Sequence, residues 1–278
     1  MNLFTINTGY FKLDGGAMYG VVPKSIWNKV NPADERNMCT WAMRCLLIED
    51  GNRLILIDNG IGDKQDAKFF SYYYLHGEDN LIHSIREAGF SEDDITDVFL
   101  THLHFDHCGG GVRHVDNKPV MTFRNATYWT NKDHWKWATE PNAREKASFL
   151  KENILPMQES GQLKFIDEQN TSFDQMEILN VSGHTDKMMI PKIHYKDKVI
   201  CFAADLIPSI GHIPVPYVMA YDTQPLLSLK EKEQFVTEAA EKQHILFFEH
   251  DPVHECCTLQ RTERGARLDK TFKLAEII

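Results

Sequence analysis

Thr101-His102-Leu103-His104-Phe105-Asp106-His107, followed by Cys108 and Gly109-Gly110-Gly111, sets three histidines and one aspartate within six residues. Asp97-Val98-Phe99-Leu100, just before it, is short and apolar, the pattern of a buried strand. A strand continuing to residue 104 would point His102 and His104 to one side and Leu103 and Phe105 to the other, because strand side chains alternate. The glycines would then let the chain turn back and bring Asp106 and His107 beside the first two histidines. Neutral imidazole and carboxylate are the donors of a hydrolytic, zinc-type site.

Three more stretches repeat the pattern of an apolar run that ends in a metal-type donor. They are Ile178–Val181 before Ser182-Gly183-His184-Thr185, Val199–Ala203 before Ala204-Asp205, and Ile245–Phe248 before Glu249-His250-Asp251-Pro252. α/β folds gather ligand-binding groups at strand ends. A lone histidine such as His184 or His250 is more often structural, but beside the 102–107 cluster each fills a missing coordination position. Seven donors suffice for two metals. His102, His104 and His184 can hold one, Asp106, His107 and His250 the other, and Asp205 can bridge both. Such a set leaves room for a shared water, unlike closed structural sites. Two metals about 3.5–4 Å apart lower that water's pKa and polarise a substrate oxygen.

His102-x-His104-x-Asp106-His107, then Gly183-His184-Thr185, Asp205 and His250, resembles the metallo-β-lactamase superfamily of hydrolases in order and rough interval along nearly the whole chain. The resemblance implies an α/β (α+β) chain folded as a four-layer αβ/βα sandwich, two mixed β-sheets face to face with outer helices and the metals at one edge. It also implies that Asp58 orients a neighbouring loop rather than binding metal. A bridging aspartate at 205 looks like the lactonase, glyoxalase II and phosphotriesterase-like branches. Gly16–Lys24, Ala204–Pro208 and Glu249–Pro252 look most like quorum-quenching N-acyl-homoserine lactonases and methyl parathion hydrolase-like relatives. Two positions depart from that pattern. Many such lactonases carry a tyrosine three residues after the bridging aspartate, where Pro208 stands here, leaving His212, Tyr217 or Tyr221 as candidate substrate donors. The family's Gly-His-Thr-Pro-Gly run is Gly183-His184-Thr185-Asp186-Lys187, which keeps the ligand and changes the turn.

The formal net charge of −10 counts against nucleic acid as a partner, because strand binding needs a basic footprint. Hydrophobic residues at 42% and charged residues at 25% suit a soluble globular protein. Met1–Ile6 lacks a basic segment and an apolar stretch, and no run approaches a membrane span, so the expected location is cytoplasmic, with no membrane partner. The six cysteines form no CxxC pair and read as reduced, buried thiols, with Cys108 a packing residue.

The 278 residues read as one domain, with an N-terminal half over about 1–130, a C-terminal half over about 160–278, and a helical connection between them. The N-terminal half holds a strand over Leu3–Ile6, a loop-rich stretch from Ala17 to Asn37, and a hairpin of Cys39–Glu49 with Arg53–Asp58. A helix over Asn80–Ala88 precedes a helix start at Ser91, and one strand spans Val120–Trp129. The connection from Asn131 to Ser160 breaks at Glu140-Pro141 and at Pro156. In the C-terminal half, Ile193–Tyr195 and Val199–Ala203 form a hairpin, and Ser228-Leu229-Lys230-Glu231 is a capping box opening a helix to Lys242. Phe69-Phe70-Ser71-Tyr72-Tyr73-Tyr74 can wall an apolar pocket, with Tyr72 a substrate-contact candidate, or pack in a core.

Together these readings predict a hydrolase with two divalent metals per chain, zinc in the first place, manganese or iron otherwise. A metal-bound hydroxide would attack an ester or lactone carbonyl, the substrate being a small molecule such as an N-acyl-homoserine lactone, while Asp106 orients the nucleophile or passes a proton to the leaving alkoxide. The alternatives are a phosphotriesterase or other phosphoesterase, a glyoxalase II-like thioester hydrolase, and a non-catalytic metal-binding member of the fold. The Ala17–Asn37 stretch resembles the segment that such lactonases use in dimers, which implies a homodimer.

Overall fold

A computed structural model describes residues 1–166 and 173–277. The expected C-terminal half falls partly beyond them, since 167–172 and 278 lie outside the described residues. Two compact units emerge, the first built from Met1–Gly9 and Met43–Ser172, the second from Tyr10–Ala42 and Phe173–Ile277.

The first eight strands are β1 (Asn2–Asp14), β2 (Met38–Asp50), β3 (Arg53–Ile57), β4 (Asp97–Phe99), β5 (Val112–Val115), β6 (Lys118–Met121), β7 (Thr127–Asn131) and β8 (Leu163–Ile166). Six form a mixed sheet in the order β1-β2-β3-β4-β7-β8, and β5 pairs with β6 apart from it. β2 and β3 are the expected hairpin, with Asp50 opposite Arg53 and Leu46 opposite Ile57. β3, β4 and β7 run parallel, in register at Ile57, Phe99 and Trp129. Their C-terminal ends therefore reach one edge together and deliver Asp58, the 101–107 stretch and the helix after Asn131. Leu54, Leu56, Val98 and Leu100 are buried in one cluster with Ile85, Ile95 and Phe123, while Ile55, Ile57 and Phe99 are buried as well. Burial on both faces is what parallel strands between packed layers require, and it explains why the run 97–100 reads as continuously apolar.

The second unit holds the six-stranded mixed sheet β14-β13-β12-β11-β10-β9, comprising β9 (Met176–Val181), β10 (Met188–Tyr195), β11 (Lys198–Phe202), β12 (Ile245–Phe247), β13 (Cys256–Thr262) and β14 (Gly265–Phe272). β9 and β11 each pair antiparallel with β10, and β11 runs parallel to β12 with Phe202 opposite Phe247. β9, β11 and β12 thus end at one edge, just before His184, Asp205 and His250. The expected α/β class with two mixed sheets is what the chain adopts.

Several local expectations need correction. β4 stops at Phe99, so His102 and His104 sit on a loop instead of a strand. Asp106 and His107 are placed by a helical turn, Phe105–Cys108, that precedes the glycines. Gly109 and Gly110 serve close approach: a Cβ there would come within 2.1 Å of the Ile61 and Asn59 carbonyl oxygens. Ser91 starts no helix, since Asp94 takes its amide and hydroxyl into a local turn. The expected Val120–Trp129 strand is split between β6 and β7, and β1 runs well past Ile6. The expected loop-rich stretch opens instead with a short helix, Gly15–Tyr19, capped by Asp14. Pro156 lies inside the helix Lys151–Glu159 without ending it. The helix expected from Ser228 begins at Pro225, so Ser228 and Glu231 form no capping box.

Candidate metal centre

The first unit gathers His102, His104, Asp106 and His107, all buried. His102 Nε2 and His104 Nδ1 face each other at 3.1 Å. The opposite nitrogens each face an oxygen, His102's within hydrogen-bond range and His104's a carboxylate just beyond it. His102 Nδ1 lies 3.1 Å from Thr101 Oγ1, whose hydroxyl donates to Asp58 Oδ2 at 2.6 Å, so the imidazole N–H donates to Thr101. His104 Nε2 lies 3.6 Å from Glu145 Oε1, and Trp137 and Asn142 hold the other oxygen of this buried carboxylate. With protons on the outer nitrogens, the two inner lone pairs converge, an arrangement that a cation between them stabilises.

Asp58 ties the stretch together. Its Oδ1 accepts the Thr101 amide at 2.8 Å, and its Oδ2 accepts from Thr101 Oγ1 and from His107 Nδ1, at 3.1 Å. That turns His107 Nε2 toward Asp106, whose Oδ2 is 3.9 Å away. His134 holds the loop from beneath by accepting the Leu103 amide at 2.9 Å. Phe69 and Tyr73 pack their rings against Phe105, 5.3 and 4.7 Å away, so the aromatic run covers this turn. Cys108 is fully buried, and burial pushes its thiol up to about 12, which suits the packing role expected for it. All six cysteines are free and buried.

In the second unit, Asp205 presents a different oxygen to each of two imidazoles. Oδ2 is 3.1 Å from His184 Nε2 and Oδ1 is 3.0 Å from His250 Nε2. The outer nitrogens are again committed, His184 Nδ1 donating to Asp222 Oδ1 at 2.9 Å and His250 Nδ1 to the Ala42 carbonyl at 2.8 Å. Burial disfavours a protonated His184, yet the charges of Asp205 and Asp222 outweigh it and raise its pKa to about 10. Positive charge is thus strongly favoured at this imidazole, as metal or as proton. In both units the donors fit divalent metal: each of the four histidines His102, His107, His184 and His250 has one nitrogen fixed by an acceptor and the other turned toward a second donor.

A pocket in this unit is lined by Asp205, Pro208, His212, Tyr217, Asp222 and Lys232, among others. His212 is fully buried. Its Nε2 donates to the Met18 carbonyl at 2.9 Å, its Nδ1 accepts from Ser209 Oγ at 2.8 Å, and it stacks on Tyr19. Both ring nitrogens are therefore engaged in the fold, and burial pulls its pKa to about 3. Tyr217 borders the pocket, and its carbonyl accepts from Lys232 Nζ at 2.7 Å. Tyr221 and Tyr72 are exposed, at 39% and 59%.

Sequence reading missed His134 and Glu145 in the first unit and Asp222 in the second. His134 had a faint signal, since Asn131 caps the helix that carries it. Asp222 had none, lying 38 residues from His184 on an irregular segment.

A family model described as "Metallo-beta-lactamase superfamily" matches residues 44–250. An N-acyl homoserine lactonase from a Bacillus species is 23% identical over 89% of this chain and 94% of its own length. A probable metal-dependent hydrolase from Staphylococcus aureus superposes with a TM-score of 0.88 at 27% identity, covering 98% of this chain and 96% of that one. AidC, described as a dizinc quorum-quenching lactonase in complex with its product, superposes at 0.80 and 23% identity, covering 98% and 95%. No described helix is long and apolar enough to cross a membrane.

Proposed function

We propose, from the premise that this chain belongs to the metallo-beta-lactamase superfamily, that it is a two-metal hydrolase opening an ester or lactone ring of a small molecule, with N-acyl-homoserine lactones the first substrates to try. That it is a metal-dependent hydrolase follows from the family and from its lactonase homologues. The observation that carries the two-metal reading is Asp205, each of whose oxygens already meets a separate imidazole. A carboxylate placed in this way suits a bridge between two cations. His102, His104 and His184 would hold one, and Asp106, His107 and His250 the other.

Two bound divalent ions, zinc by preference, would lower the pKa of a water and draw charge from the substrate carbonyl. The chain's own groups do the rest. Asp58, Thr101 and Asp222 fix the tautomers of the ligands they contact. Asp106, buried on the helical turn, would orient the nucleophile or pass a proton to the leaving alkoxide. Tyr217 borders the pocket beside Asp205, and we assign it, with Tyr221, to the substrate side that Pro208 leaves without a hydroxyl. His212 shapes that side, since its ring nitrogens are engaged, and Tyr72 is assigned to an acyl-chain wall. We read the whole chain as one catalytic domain, working as a homodimer in the cytoplasm. Six free buried thiols suit a reducing compartment.

The test is metal analysis of the purified protein combined with a panel of lactones, aryl esters, thioesters and phosphotriesters. Two metals per chain and turnover fastest on lactones support the reading. Full activity in metal-stripped protein ends it, and a preference for thioesters or phosphotriesters moves it to another branch.

A further inference from the structure

We infer that Glu231 is a positioning residue for His184, acting as a two-pronged clamp on the backbone of the turn that carries it. The inference rests on the reading of His184 as a metal ligand. Glu231 Oε1 accepts the amide of Ser182 at 2.8 Å, and Oε2 accepts the amide of Gly183 at 2.9 Å. Both donors belong to the two residues just ahead of the ligand. Charge-assisted bonds to adjacent amides fix the direction in which the chain enters residue 184.

Asp186 follows where a proline would have restricted the backbone, and Lys187 occupies the left-handed region at φ +57°, which a side chain disfavours. Within the turn the Lys187 amide donates to Ser182 Oγ at 3.1 Å, and a set of described tertiary bonds comes from one place: the segment 222–231 at the start of the helix Pro225–Lys242. The Gln224 amide donates to the Gly183 carbonyl at 2.9 Å, the Thr223 amide to the His184 carbonyl at 3.1 Å, and Gln224 Nε2 to the Ser182 carbonyl at 3.1 Å. Ser228 closes on Gly183 so tightly that a Cβ there would come within 2.3 Å of its amide nitrogen and Oγ. Asp222 on the same segment takes the ring nitrogen of His184.

Glu231 is the one charged side chain that this helix contributes to the backbone of the turn, among the described contacts, and the helix does not need it locally. The helix begins six residues earlier, so Glu231 lies beyond the first turn, where amides already have intrahelical partners. The Ser228–Glu231 spacing looks like a capping box in sequence, but its glutamate is spent on another segment. A carboxylate suits this use because it offers an acceptor to each of two parallel N–H groups. A glutamine offers one oxygen and sets an NH₂ against the second donor.

Glu231→Gln keeps the size of the side chain and removes one prong. Zinc binding to wild type, Glu231→Gln, Glu231→Asp and His184→Ala is followed by chelator competition, with amide hydrogen exchange read at 182–184 in the metal-free proteins. The expected results are two zinc ions on wild type and, in Glu231→Gln, a roughly 10- to 100-fold weaker affinity for the one equivalent that His184→Ala also loses. The second equivalent stays near wild type, and exchange at 182–184 speeds up while the sheet remains protected. Glu231→Asp, one methylene shorter, shows the same pattern and serves if the glutamine variant does not fold. Wild-type affinity for both equivalents and unchanged exchange in either folded variant would overturn the clamp. A wild type that takes up no zinc through His184 overturns the two-metal reading, and the clamp falls with it.

Discussion

Asp222 Oδ1 lies 2.9 Å from Nδ1 of His184, both side chains buried, and this contact leaves Nε2 as the nitrogen that faces Asp205. Asp222→Asn should retain the fold and weaken metal binding roughly 10- to 100-fold, because the amide replaces a charged acceptor with a neutral one. Chelator competition measures it. An unchanged affinity would mean that His184 is oriented by its turn alone.

Asp205→Asn tests the bridge. The amide retains one oxygen, so on the two-metal reading the variant should bind close to one metal per chain and wild type two. Its kcat should drop at least about a hundredfold, since charge stabilisation of this kind is worth that much in comparable sites. Elemental analysis with a steady-state assay checks both. Two tightly held metals in Asp205→Asn would remove the bridging role.

The buried Asp97 carboxylate gives the first unit an acid-sensitive anchor. Burial opposes its charge, but Arg53, Thr96 and Trp129 donate to it and together hold its pKa below the usual aspartate range. A depressed native pKa means that this contribution is complete above the unfolded pKa of about 3.9 and fades as pH falls through the lower native value. Asp97→Asn should cost about 2–3 kcal/mol at neutral pH, less than a fully buried pair because Arg53 is partly exposed. It should also flatten the loss of stability below about pH 4. Urea melts at pH 7 and pH 3 provide the comparison, and a parallel loss in both proteins would contradict it.

Gly109→Ala should destabilise the protein by about 1–3 kcal/mol through overpacking, since the new methyl meets the Ile61 carbonyl within van der Waals range. The same segment receives the His107 carbonyl through the Asn59 amide, at 2.8 Å, so metal affinity should drop along with the melting temperature. A variant with both unchanged would show that the loop yields without cost.

Much of this protein could be read from local pattern. The hairpin of β2 and β3 followed from two apolar runs around Asp50-Gly51-Asn52, and the helix expected over Asn80–Ala88 from its apolar face and Gly89; the structure makes Asn80 its cap. The strand ends before Asp205 and His250 were legible because the buried parallel strands β11 and β12 leave continuous apolar runs, and the one before His184 from the short apolar run Ile178–Val181. Where two local signals compete, the reading failed. Phe99 and Leu100 resemble a strand that continues, but the chain leaves the sheet after Phe99, where the Asp58 carboxylate takes the Thr101 amide and hydroxyl.

By itself, the sequence determined which donors are present and in what order, because donor type and short spacing are properties of the chain. Only the tertiary structure decided which nitrogen of each histidine faces the neighbouring donors and what holds it there. Glu145, Asp222 and Glu231 act on groups 38 to 49 residues away, and no local pattern marks such a partner; for Asp58 the resemblance implied a loop-orienting role but not that it would hold both Thr101 and His107. Coordination chemistry is local and leaves a motif, whereas orientation comes from long-range hydrogen bonds that exist only once the strands are in register.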